Sequence, residues 1–111
     1  MRPTPYQETV DWIEDHPESP AASQLAKLVL SLASGECAFS LRDMFDGMET
    51  APSVLALRVI ARFAQYGEDE ELREVGLKIC DGYQDLCVLG QVAHRAQATL
   101  ISRWQPSPEH D

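Results

Sequence analysis

Apolar residues recur along this chain at helical spacing, and nowhere do they alternate convincingly with the period of two that a half-buried strand needs. That one feature rules out most folds. Leu25, Leu28, Val29 and Leu32 fall at i, i+3, i+4 and i+7 behind a Ser19-Pro20 start, where serine caps and proline fits the first turn. This spacing predicts a helix over 20–34, with Gly35 as its C-terminal cap.

The same reading predicts the other elements. Pro3 and Pro5 open the chain irregularly, and residues 6–15 form a first helix with Tyr6, Val10 and Ile13 inside and Trp12 at the stripe's edge. Residues 16–20 (HPESP) end it. Ser40 and Asp43 resemble a capping box for a short helix carrying Leu41, Met44 and Phe45, which ends near Gly47. A helix from Pro52 or Ser53 to Tyr66, closed by Gly67, is apolar at Leu55, Ala56, Val59, Ile60, Phe63 and Ala64. That face is wide enough to make it the expected most buried element. Glu68, Asp69, Glu70 and Glu71 open the next helix, whose inner stripe is Leu72, Val75, Gly76, Ile79 and Cys80, and Asp81-Gly82 reads as a turn or kink. A last helix over 84–103 turns Leu86, Leu89, Val92, Ala93, Ala96, Leu100 and Trp104 inward. Gly76 and Gly90, on or beside inner stripes, suit close helix approach. The expectation is an all-α single domain over 1–104, a compact bundle of five or six helices, with 105–111 as a flexible tail.

At 111 residues the chain is one domain by length and can bury a modest core. Its charge narrows the functional classes. Nine basic residues against eighteen acidic ones give a net charge of −9, which repels phosphates and anionic membranes. Direct nucleic-acid binding and membrane binding are therefore not expected. A helix-turn-helix around Gly67 would also present Glu70, Glu71 and Glu74 where phosphate contacts belong. An acidic surface serves solubility, or a basic partner. The three cysteines, an odd number, sit in or beside apolar runs, so reduced thiols and a cytoplasmic location are expected. No signal-peptide core or membrane-length apolar run occurs.

No chemistry stands out. Cys80, Cys87 and His94 repeat at heptad spacing, yet that spacing separates neighbours by about 10 Å along a helix, too far for shared zinc ligands. His16 lies in an acidic loop and His110 in the tail, and no phosphate loop, nucleophile elbow or dinucleotide fingerprint occurs. No catalytic residue, metal or cofactor is expected, and no family motif stands out.

What is left is protein binding. Glu68, Asp69, Glu70, Glu71 and Glu74 form one acidic set. Their ordinary role is to start a helix, with Glu74 pairing to Lys78; their functional role is contact with a basic partner. Asp11, Glu14, Asp15 and Glu18 form a second set, and Asp43, Asp46 and Glu49 a third. Arg58 and Arg62 form a small basic stripe suited either to pairing within the chain or to contact with a partner. Trp12, Leu30, Leu57 and Leu77 fall off their helices' main stripes and could build an apolar contact patch. The sequence thus points to a non-enzymatic protein-binding module, an adaptor or assembly component that could include a homo-oligomer. The alternative is an acidic inhibitor that imitates nucleic acid and blocks a basic site on a nucleic-acid-handling enzyme, of the kind phages and mobile elements encode, anti-CRISPR proteins among them. An enzyme of unidentified class is the remaining reading.

Overall fold

A computed structural model describes residues 3–35 and 37–104, the side chain of Trp104 excepted. His110 and the tail expected at 105–111 lie outside the described residues. Six helices form: α1 (Pro5–Asp15), α2 (Pro20–Ala33), α3 (Leu41–Phe45), α4 (Thr50–Tyr66), α5 (Glu70–Gly82) and α6 (Gln84–Trp104). No strand occurs among the described residues, and the fold is an all-α single-domain bundle.

Local chemistry sets the boundaries. Four helices start on an oxygen side chain that accepts from an otherwise unpaired amide: Thr4 from Gln7, Ser19 from Ala21, Ser40 from Asp43, and Asp69 from Leu72. Helix α4 lacks such a cap and begins at Thr50, ahead of Pro52, because proline is tolerated in a first turn whose amides have no partner. Gly67 ends α4 at φ 70°, a conformation open to glycine. Helix α2 ends differently from expectation: Ser34, in extended conformation, is the C-cap, and Gly35 follows it.

Helix α2 is the centre. Ala21, Ala22, Leu25, Ala26, Leu28, Val29 and Leu30 are all buried, and the helix packs on α1, α3, α4, α5 and α6. This corrects two expectations. Helix α4 is not the most buried element: it packs chiefly on α1 and α2, buries Pro52, Leu55, Ala56 and Val59, half-buries Ile60 and Phe63, and exposes Ala64. Leu30 belongs to the core and to no surface patch, because α2 is enclosed on more sides than its stripe implied.

The closest helix approach is α2 on α5. A Cβ built on Gly76 would lie 2.5 Å from the Cβ of Ala33. Two small residues face each other there, and the backbones close together as far as glycine permits. Gly90 has a similar role against the 34–40 connection: its missing Cβ leaves room for the Phe39 ring and Cys37, and Ala38 donates to its carbonyl at 3.1 Å.

The last helix departs most from the sequence reading. Its stripe was expected inside, but Leu89, Val92, Ala96 and Leu100 are exposed, Leu86 and Ala93 are half-buried, and the Trp104 side chain lies outside the described residues. The body contacts α6 through another face, at Cys87, Gly90, Gln91 and His94, and every residue from Arg95 to Arg103 is exposed. The long dimension of the molecule, 55 Å against 28 and 25 Å, accommodates this projecting segment.

Gly76→Ala should destabilise the fold by about 1–3 kcal/mol in urea unfolding, since the Ala33 methyl is fixed to backbone and cannot swing aside. Adding Ala33→Gly should recover part of that loss. Full stability in Gly76→Ala alone would contradict the close approach.

Candidate functional site

Two surfaces concentrate the residues singled out above. The first is the joined outer face of α1 and α5. Thr4 donates from Oγ1 to Glu71 at one end, and Lys78 pairs with Glu14 at 3.5 Å at the other, so the two helices run side by side in the same direction. That register places Glu70, Glu71 and Glu74 toward the start of the paired helices and Asp11, Glu14 and Lys78 toward their end, so the acids are spread along one face. The expected pairing of Glu74 with Lys78 gives way to this interhelical one. The third acidic set is not gathered in, because α3 packs chiefly on α2.

Several of these carboxylates already have work within the chain. Asp69 accepts from the Leu72 amide at 2.8 Å and meets Arg62 at 3.5 Å, Glu68 meets Arg73 at 3.7 Å, and Asp11 accepts from Gln7 at 3.0 Å. Glu70 and Glu74 are exposed, as is Asp15. The basic stripe turns inward in the same way. Arg58 makes a two-pronged contact with Glu8 at 2.5 and 2.9 Å, and Arg62 lies over the Tyr66 ring at 4.6 Å. Such exposed pairs contribute about 0–1 kcal/mol each, so they orient side chains more than they hold the fold.

Tyr6 sits beneath Arg62, fully buried, and its hydroxyl has no hydrogen-bond partner among the described residues. Burial chiefly raises its pKa, the charge of Asp69 adds to that, Arg62 opposes it, and Glu71 adds further.

The second surface is apolar. Leu89, Val92 and Leu100, with 54, 53 and 44% of their surface open, line the side of α6 turned away from the body, and Val88 and Ile101 are open as well. Leu57 and Leu77 are exposed, but on α4 and α5. Leu77 borders an open groove of about 330 Å³ between α2, α5 and α6, also lined by Leu30, Ala33, Cys80 and Cys87. Trp12 stacks on His16, with centroids 4.1 Å apart, and is half-buried.

Cys80 and Cys87 form a disulfide, with Cα atoms 5.6 Å apart. This overturns the expectation of reduced thiols. The separation of about 10 Å along a continuous helix does not apply, because the chain turns at the expected Asp81-Gly82 break, with Tyr83 capping α5, and brings the two cysteines together. Cys37 stands outside the bridge, buried beside Gly90. Among the described residues, no group of three or more His, Cys, Asp or Glu is placed to hold a metal, and no helix is long and apolar enough to cross a membrane.

Sequence reasoning missed the α6 face as a surface because periodicity reports that a stripe will be covered, not by what. No family model, curated protein or solved structure matches this chain.

Cys80→Ser with Cys87→Ser should lower stability by about 2–3 kcal/mol, the loop-closure value for a short bridged segment. The loss should concentrate in hydrogen exchange of α6. Tyr6→Phe should leave neutral-pH stability unchanged or raise it by up to about 1 kcal/mol. A raised folded pKa contributes stability that is complete below the unfolded value near 10.0 and disappears as pH rises through the folded one. Urea unfolding of Tyr6→Phe should therefore show less alkaline destabilisation than the parent chain.

Proposed function

We propose that this chain is a non-enzymatic protein-binding module, an adaptor or assembly component, whose main contact surface is the open stripe of α6. The observation that carries this is the exposure of Leu89, Val92 and Leu100 on a helix patterned for burial. Half-open side chains at core spacing forgo about 1 kcal/mol each, roughly half the value for full burial of leucine or valine, and a partner that covers them recovers it. The acidic body contributes solubility and discrimination: it repels acidic proteins and nucleic acid, and it leaves the stripe as the place where association is favourable. The reading needs no cofactor.

A second reading has its own support. The joined α1 and α5 face carries Asp11, Glu14, Glu70, Glu71 and Glu74 along its length, a negative surface suited to a basic partner such as the nucleic-acid channel of an enzyme.

Affinity capture from the native host at low and high salt separates the two. The apolar reading expects a partner retained at high salt and lost on Leu89→Glu with Leu100→Glu. The inhibitor reading expects a basic partner released by salt and lost on Glu70→Lys with Glu74→Lys; these two are suitable because, unlike Glu71 and Asp69, they are not tied to Thr4 or to the helix cap. Capture unaffected by either pair of changes would refute both.

A further inference from the structure

We infer that the occupant of the α6 stripe is the α6 stripe of a second copy of this chain, paired antiparallel. The inference rests on reading α6 as the contact surface and adds the identity of the partner. Leu86, Leu89, Ala93, Ala96 and Leu100 follow one another in alternating steps of three and four residues, the pattern of a two-helix seam. Large residues lie at both ends of this seam and two alanines at its middle. Two such helices in opposite directions therefore set alanines at the crossing, where the axes can close to about 8 Å, and leucines on either side. Among the described residues, Leu86 packs on the core and Ala93 is half-buried, while Leu89, Ala96 and Leu100 stay open, since the body meets the helix chiefly on the side of Cys87, Gly90, Gln91 and His94.

Charge selects both the partner and the direction. Helix α6 carries one acid, Asp85, and two arginines, Arg95 and Arg103, in a chain of net charge −9. Association through this helix therefore presses few carboxylates together. Asp85 lies in its first turn and Arg103 in its last. They are separated by a whole number of turns and so share the seam's side. In an antiparallel pair each Asp85 meets the partner's Arg103 at both ends, and the helix dipoles align favourably. Antiparallel pairing also carries the two acidic bodies to opposite ends of a contact about 30 Å long, whereas parallel pairing would set them side by side. The open parts of Leu89, Val92 and Leu100, with the flanking alanines, form the apolar centre of the contact. A contact of this size sits at or below the lower bound for a specific dimer, so a weak, reversible one is expected. Such a two-fold contact uses the same patch on both copies and closes on itself.

Sedimentation velocity on the full chain, from low micromolar to several hundred micromolar at physiological salt, tests this. The expected result is a species that grows toward twice 12.4 kDa with concentration. Leu89→Glu with Leu100→Glu should leave a monomer; both side chains are exposed, so the fold is kept, and circular dichroism checks that it is. Arg103→Asp should weaken association about tenfold, and adding Asp85→Arg should restore it. A monomer throughout overturns the inference, as does a dimer that survives the two glutamates. A dimer that Arg103→Asp strengthens or leaves unchanged overturns the antiparallel pairing. If the chain stays monomeric while the two glutamates abolish capture of a different protein, the second-copy inference fails and the protein-binding reading stands. If the chain stays monomeric and capture is unaffected, both fail.

Discussion

The contact between α2 and α5 carries the rest of the structure. Gly76 and Ala33 bring these two backbones as close as side chains allow. With that distance fixed, Leu72, Val75 and Ile79 reach Leu25 and Val29 in one continuous core, and α1 can lie across both helices with Tyr6, Val10 and Ile13 inward. A wider separation would open voids under α1, and voids in a core this small cost about 1 kcal/mol for each methyl-sized gap. The same contact sets the direction of the chain's exit from α5. The break at Tyr83 and the bridge between Cys80 and Cys87 then fix where α6 starts, at the edge of the bundle and not on top of it.

Tethering at one end explains why α6 can be long and largely uncovered without fraying into the body. Its first turns are held three ways: by the disulfide, by Gly90 accepting from Ala38, and by Phe39 and Cys37 packed where a side chain would otherwise stand. From Arg95 to Arg103 every residue is exposed. Isolated helices of this length are marginal in water, so the second half of α6 depends on its fixed start.

The sequence showed which segments are helical and, for α1, α2 and α5, which faces are inside, because those stripes are narrow; Ser19 and Ser40 were legible as starts, whereas the caps at Thr4 and Asp69 were not. It did not show rank of burial. The face of α4 is wider than that of α2, yet α2 is central, because centrality depends on how many neighbours the topology delivers and not on the breadth of one helix's apolar face. It also did not show the disulfide, since spacing along a straight helix gives the wrong distance once Tyr83 breaks the helix. Of the candidate contact residues, the α1 and α5 acids were legible as sets but not as one face; their union needed the parallel packing that Thr4–Glu71 and Glu14–Lys78 reveal. Arg58 and Arg62 were recognisable as a stripe, and only the placement of Glu8, Asp69 and Tyr66 turned it inward.

The error at α6 is the most informative, because the reasoning behind it was sound. A stripe at Leu86, Leu89, Val92, Ala93, Ala96 and Leu100 is a pattern for burial, and leaving it open costs several kcal/mol of transfer free energy relative to a covered stripe. Propensity alone does not require it: the solvent side of a long helix is filled as readily by Glu, Lys and Gln, and this chain is rich in Glu elsewhere. The acids are instead concentrated on α1 and α5, while α6 has Asp85 alone. Open apolar residues occur elsewhere too, Leu57 on α4 and Leu77 on α5 among them, but α6 carries the longest run of them with a single acid beside it. Under the proposed reading, that run is where association is favoured.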